Sequence, residues 1–367
     1  MPDYYIGLIS GTSMDGIDAV LVSFTDHSLS LHATHAHAYP GELRDRLRQT
    51  IRNPDACGLD GLGELDRWTG ECFRDAALEL IGKSNIDPGS IIAIGSHGQT
   101  LRHRPDAARP YSLQIGDAAT IAAGTGVTTV ADFRRSDIAV GGQGAPLVPP
   151  FHDWLFRRHD VNRIVLNIGG IANVTVLPAD DEPVTGFDTG PGNTLLDAWI
   201  NEQRGLTYDP DGQWAASGNA VQSLLERLMA DDYFNRPPPK STGFEHFNLS
   251  WLRAFGADDY EPRDIQATLS EVTARTIAAA INTYAPATEE IFVCGGGIHN
   301  SDLLRRLGTS LSQTTLASTL DAGLDPDWVE AAAFAWLAMR TTTNQSGNLP
   351  SVTGASRKTV LGAIHSH

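Results

Sequence analysis

The sequence predicts an α/β protein built as a duplication, on three observations. Two stretches, YYIGLIS through IDAVLVSF near the N-terminus and RIVLNIGGIANVTVL in the middle of the chain, share one layout of apolar strand, glycine-containing bend and apolar strand. Two shorter apolar runs, IIAIGSHG and IFVCGGGIHN, end in polar or glycine-rich turns, as buried strands do when they carry chemistry to their carboxyl edge. Helical patterns alternate with these strand patterns, the arrangement that builds mixed sheets covered by helices.

In chain order, the opening pair of strands flanks the turn-forming GTSMDG. From Glu64 to about Gly82, Leu65, Trp68, Phe73, Ala76 and Leu80 recur at helical intervals. The strand IIAIGSHG follows, and after about residue 130 the hairpin layout is repeated. IQATLSEVTARTIAAAINTYA reads as a long amphipathic helix. IFVCGGGIHN followed by SDLLRRLGTSL gives strand, glycine turn and helix, the order of a nucleotide site. WVEAAAFAWLAMR is an alanine-rich helix suited to close packing, RPPPKSTG a proline-bent loop, and TVLGAIH the closing run after a polar connection.

Composition bounds what such a chain does. Its 367 residues are 41% hydrophobic and 19% charged, enough for two domains with sizeable cores. The 36 glycines and 20 prolines, together about 15% of the chain, fall short of the roughly 25–30% of low-complexity sequence. A formal charge of −17 argues against a nucleic-acid or anionic-membrane partner, since both require a clustered cationic face. Neither a signal peptide nor a membrane span is read from the sequence, and the expectation is a cytoplasmic protein. Cys57, Cys72 and Cys294 match no zinc spacing and are expected to be small core side chains.

Four segments carry candidate chemistry. The bend Gly11, Thr12, Ser13, Met14, Asp15, Gly16, Ile17 and Asp18 offers glycines for close approach of backbone N–H groups to phosphate, hydroxyl donors, and carboxylates able to hold magnesium through water. It is not a Walker loop, and a plain Asp-Gly hairpin turn uses the same residues. Gly295, Gly296 and Gly297, between a strand and a helix, suit either a nucleotide or tight strand–helix packing. In GFDTGPGN, Asp188 is exposed by glycine neighbours as a base or magnesium ligand, or serves as an ordinary turn aspartate. SHGQTLRH, DFRRSD and GGQGAPLVP place His97, Gln99 and Arg134 on glycine-supported loops, which suits a polyhydroxylated ligand bearing a carboxylate, or else a surface ion-pair cluster. No Ser-His-Asp order, HExxH pair or paired-cysteine site is found.

Taken together, SGTSMDGIDAVL, SHGQTLRH, LQIGD, ADFRRSDIAVGGQGAPLVPPFH, LNIGGIANVT, GFDTGPGNTLLDAW, KSTGFEHFN, CGGGIHN, DWVEAAAFAWLA and VTGASRKTVLG resemble, in order and wording, the anhydro-N-acetylmuramic acid kinases of the sugar kinase, heat-shock chaperone and actin superfamily. The resemblance runs over essentially the whole chain, and GQGAPLVP and GFDTGPGN are its most specific strings. It departs at Phe244, where a basic residue is expected after Lys240-Ser241-Thr242-Gly243. The resemblance implies a two-domain actin-like ATPase (ribonuclease H-like) fold, each domain a mixed five-stranded sheet flanked by helices, with the active site in the cleft between domains. It implies one domain of residues 1–130 plus about 341–367, and a second of 131–340.

It further implies a reaction in which 1,6-anhydro-N-acetylmuramic acid is opened by water while its 6-oxygen receives the γ-phosphoryl of ATP, with magnesium as cofactor. In that reading Asp188 is the catalytic base. Gly11 to Asp18 and Gly295 to Gly297 hold the nucleotide, and Asp15 and Asp188 hold magnesium through water. His97, Gln99, Arg134 and Glu330 contact the sugar, with Arg134 on its lactyl carboxylate. A homodimer is left open. Two other readings use the same fold: an ATP-driven conformational switch without a sugar acceptor, and an ordinary sugar kinase in which Asp188 deprotonates a free hydroxyl.

Overall fold

A computed structural model describes residues 3–11, 14 and 16–367. The strands in chain order are β1 (Tyr4–Ile9), β2 (Gly16–Thr25), β3 (Ser28–Ala38), β4 (Ile91–Ser96), β5 (Gln99–Arg104), β6 (Tyr111–Ile115), β7 (Thr129–Ala131), β8 (Arg163–Ile168), β9 (Ile171–Leu177), β10 (Thr185–Pro191), β11 (Glu290–Cys294), β12 (Thr315–Ser318) and β13 (Ala363–His365). They divide between two compact units, residues 1–155 with 328–367, and residues 156–327.

In the first unit the sheet order is β13-β7-β4-β1-β2-β3. β1, β2 and β3 form an antiparallel meander, and β4 and then β7 add in parallel beyond β1. The second unit repeats the plan as β10-β9-β8-β11-β12, with β8, β9 and β10 as the meander and β11 and β12 as the parallel extension. This is the duplicated α/β plan that the paired hairpins pointed to. The first sheet has six strands rather than the expected five, because β13 adds antiparallel to β7. A separate pair, β5 and β6, stands apart from both sheets.

Residues 131–155 and 328–340, expected in the second domain, pack with the first. The reason is visible at two strand glycines. A Cβ on Gly7 would lie 1.8 Å from the Ala331 carbonyl oxygen, and one on Gly95 would lie 2.0 Å from that of Phe334. Glycine in β1 and β4 therefore lets the alanine-rich helix Val329–Thr342 lie flush on the sheet, and this contact recruits the segment to the first unit. The opposite face is covered by the helix Gly58–Ser84, whose Leu65, Phe73, Ala76 and Leu80 join Ile6, Leu8, Ile17 and Leu21 in one core. That helix stops at Asn85, which takes the left-handed conformation of a helix end.

In the second unit, Ile164, Leu166, Ile168, Val174 and Phe187 of the sheet meet Ile277 and Ile281 of the long helix Pro262–Tyr284. That helix is buried along much of its length, since short helices between residues 194 and 254 build a second cluster around Trp199, Leu224, Tyr233 and Phe247 on its other side. Cys72 and Cys294 are core residues as expected, whereas Cys57 is only half-buried. Among the described residues, no helix is long and apolar enough to cross a membrane.

Candidate active site

Asp188 lies on the outer strand β10, next to a register shift between Asp188 and Gly190. Such a bulge re-aims the side chain, and Gly190 supplies it with a φ of 156°, a value at the margin of what side-chain-bearing residues adopt. One carboxylate oxygen is fixed by the backbone N–H of Thr242, which donates at 2.9 Å. The Asp188 main chain is held on both sides, its N–H donating to the Lys240 carbonyl at 3.1 Å and its carbonyl accepting from the Tyr233 hydroxyl at 2.9 Å. Lys240 is buried, donates to the carbonyls of Tyr233 and Phe234 at 3.3 and 3.2 Å, and lies 4.9 Å from the Tyr233 ring centroid. Desolvation lowers the Lys240 pKa while the Asp188 charge pulls it back up. Burial and the same charge push the Tyr233 phenol up. From the sequence Lys240 and Thr242 stand only in the family string KSTG, without a role, and Tyr233 is not singled out; the structure brings Thr242 to the Asp188 carboxylate. Phe244 at the departure from the family pattern stands exposed.

The three consecutive glycines divide their work. Gly295 has φ 77° and a Cβ there would sit 2.2 Å from Asn167 Oδ1. Its N–H donates to the Pro326 carbonyl at 3.1 Å. A Cβ on Gly297 would collide with Ile168 Cγ2 at 2.3 Å. Both are required by packing against the end of β8. Gly296 has nothing within 4 Å of its Cβ position and so leaves open space above the backbone. The helix that follows, Ser301–Ser310, is capped by Asn300, whose side chain accepts from the Leu303 N–H.

In the first unit, His97, Gln99, Arg134 and Glu330 are brought to one region, but not with equal availability. His97 is buried, with its ring 4.6 Å from that of Phe334. Its Nδ1 lies 2.9 Å from the Gly98 carbonyl, and its Nε2 accepts from Arg134 at 3.1 Å (Nε) and 2.9 Å (Nη2). An arginine donates only, so the proton sits on Nδ1 and the ring is neutral. Desolvation, with the Arg134 charge, holds the His97 pKa well below the usual histidine range. Arg134 also donates through Nη1 to the Gly144 carbonyl at 2.8 Å. Glu330 opens the helix Val329–Thr342. Desolvation raises its carboxyl pKa against the lowering pull of Arg134. Gln99 is spent internally, accepting from the Ser10 hydroxyl at 2.7 Å and donating to the Gly11 carbonyl at 3.4 Å.

At the hairpin bend, Met14 donates its N–H to Gly11 at 3.3 Å and has a positive φ of 54°. A Cβ on Gly16 would lie 2.5 Å from the His37 carbonyl, Ile17 is buried, and Asp18 is a half-buried residue of β2 paired with Ile9. Thr12, Ser13 and Asp15 lie outside the described residues. Asp137, on the DFRRSD segment, is fully buried and accepts from Asn348 Nδ2, Thr353 Oγ1 and the Gly144 N–H, each at 2.8 Å. It ties the GGQGAPLVP loop, and through Gly144 the Arg134 guanidinium, to the C-terminal segment.

Two sheets of one plan, a glycine turn between strand and helix, and a carboxylate beside a strand bulge match the layout expected of a sugar kinase. The family is given by comparison with known proteins. A family model described as anhydro-N-acetylmuramic acid kinase matches residues 3–367, and the chain belongs to that family. The anhydro-N-acetylmuramic acid kinase of Coxiella burnetii (strain RSA 493 / Nine Mile phase I) is 50% identical over 98% of this chain and 97% of its own. Those of Shewanella sediminis and Shewanella denitrificans are each 52% identical, covering 99% and 100% of this chain and 98% and 99% of theirs.

Proposed function

We propose that this chain hydrolytically opens the 1,6-anhydro ring of 1,6-anhydro-N-acetylmuramic acid and phosphorylates its 6-oxygen from ATP, giving N-acetylmuramic acid 6-phosphate and ADP in the cytoplasmic recycling of bacterial cell wall. The observation that carries this reading is the setting of Asp188, a carboxylate held at one oxygen by a backbone amide on a bulged strand, in a chain half identical to relatives bearing that kinase name.

Asp188 takes a proton from water as the water oxygen bonds to the anomeric carbon. The bond from that carbon to the bridging 6-oxygen breaks, and this oxygen bonds to the γ-phosphorus as ADP leaves. The leaving oxygen is trapped by phosphorus, so no general acid is needed, and the anomeric centre inverts. Gly296, open above its backbone, and the bend from Gly11 to Asp18 are assigned to the nucleotide. Asp15 and Asp188 are each assigned to magnesium through water, an ion that takes oxygen donors and when bound would draw off charge on the phosphates. Arg134 is assigned to the lactyl carboxylate. His97 orients that guanidinium, Gln99 braces the bend through Ser10 and Gly11, and Glu330 is assigned to sugar hydroxyls.

The test is incubation with magnesium ATP and the anhydro sugar in water enriched in heavy oxygen, followed by mass spectrometry of the sugar. A phosphorylated product with one heavy oxygen at the anomeric carbon is expected. Phosphorylation without heavy oxygen would replace the proposal by transfer to a free hydroxyl, and ATP turnover with unchanged sugar would replace it by a switch.

A further inference from the structure

A second cluster of chemically capable side chains lies in the first unit. His35 and His37 alternate on one side of β3, the edge strand of its sheet, because the pleat returns every second side chain to the same face. Glu79 meets them from the helix Gly58–Ser84. Nε2 of His35 is 2.9 Å from one Glu79 oxygen, and Nδ1 of His37 is 3.5 Å from the other. The two imidazoles stand nearly perpendicular, at 73° with centroids 5.8 Å apart. One ligand atom from each of the three residues lies within 4.8 Å of the other two.

We propose that His35, His37 and Glu79 bind one divalent transition-metal ion of the zinc class, tying the edge strand to the helix, with water completing the coordination. Bonds of about 2.0–2.1 Å in a tetrahedral site place ligand atoms about 3.3 Å apart, and the two His–Glu distances fall on either side of that value. Nε2 of His35 is buried and, despite the nearby carboxylate, makes no hydrogen bond of ordinary geometry among the described residues. The carboxylate oxygen is therefore beside the ring nitrogen rather than in line with it, as it is when both aim at a third point. Two imidazoles and one carboxylate favour zinc, copper or nickel over magnesium, which takes oxygen donors and keeps its waters. Magnesium for phosphoryl transfer does not compete for these residues.

One group contends with the ion. Lys83 Nζ lies 2.8 Å from His35 Nδ1 and donates to it, which keeps the ring proton on Nε2. Metal at Nε2 moves that proton to Nδ1, so the ammonium turns away to solvent, and the 56% exposure of the lysine permits this. The edge position gives the ion a physical role, since β3 pairs with β2 alone and a metal bridge to the helix ties the strand a second time, through its side chains.

The test uses the untagged full chain stripped with a chelator, titrated calorimetrically with zinc chloride in millimolar magnesium, and with cobalt(II) followed by visible absorption. Expected are one ion per chain, the intense visible bands of a four-coordinate cobalt site, and a melting temperature that rises with zinc. His35→Ala, His37→Ala and Glu79→Gln each weaken binding at least about tenfold, and Lys83→Met tightens it. Melting of Glu79→Gln in chelator should match that of the parent, which separates lost ligation from lost folding. Absence of stoichiometric zinc binding in magnesium, or unchanged affinity in the His35→Ala/His37→Ala double variant, overturns the proposal. Phosphorylation of the sugar by the stripped protein is read separately, so the kinase proposal stands or falls independently.

Discussion

Replacing Asp137 by Asn tests how Arg134, the arginine proposed for the sugar carboxylate, is seated. The native carboxylate accepts three hydrogen bonds of 2.8 Å while fully buried. The glycine at 142 lets the loop close on it, since a Cβ there would lie 2.1 Å from the carboxylate oxygen. An Asn of the same shape keeps one oxygen for Asn348 and Thr353 but turns an N–H₂ toward the Gly144 N–H, donor against donor. Hydrogen bonds to a charged group are worth about 1.5–3 kcal/mol each. Losing one and weakening two gives about 2–4 kcal/mol, or a fall in Tm of about 5–15 °C for a unit of this size. Because Gly144 also accepts from Arg134, the loosened loop should raise the KM for the anhydro sugar about tenfold with kcat nearly unchanged. Thermal melting by circular dichroism and steady-state kinetics read the two effects. A variant melting within about 2 °C of the parent, with the same KM, would show that the buried carboxylate holds neither the fold nor the arginine.

Asp188→Asn keeps an acceptor for the Thr242 N–H and so should fold normally while losing about 10²–10⁴ in kcat, and retention of parental turnover would remove Asp188 as the base. His152 is buried and its pKa is lowered by desolvation to about 3. Its neutral form is favoured by folding, so its contribution is intact above the unfolded value of about 6.5 and is lost as pH falls from there toward the folded value, about 2 kcal/mol by pH 5. His152→Gln should flatten the fall in Tm between pH 7 and 5, and an identical slope would locate the acid sensitivity elsewhere. Gly297→Ala should destabilise by about 1–3 kcal/mol through its collision with Ile168. Gly296→Ala should melt like the parent and raise the KM for ATP, and an unchanged KM would take Gly296 out of the nucleotide assignment.

Much of the strand framework was legible because burial leaves a local record. β1, β2, β4, β8, β9 and β11 are apolar runs bounded by glycine or polar bends, and the long helices at 58–84 and 262–284 carry helical spacing of their buried residues. β3 was not read, since in SLSLHATHAHA the short alternation of Leu29, Leu31 and Ala33 gives way to histidine and threonine, and no residue of this edge strand is fully buried. β13 was legible only as a closing run, because three residues have no periodicity of their own.

The sequence by itself determined the α/β class, the repeated hairpin plan and the family through its motif strings, since these are written in neighbouring residues. Tertiary structure decided what each polar atom meets. It decided that Asp137 is held by residues 211 and 216 positions away, that His97 and Gln99 direct their side chains inward to Arg134 and the bend, and that two of three consecutive glycines serve packing while one faces open space. It also decided that the alanine-rich helix belongs with the first sheet. A donor and its acceptor far apart in the chain share no local pattern, so their pairing is settled only when the sheets and helices have packed.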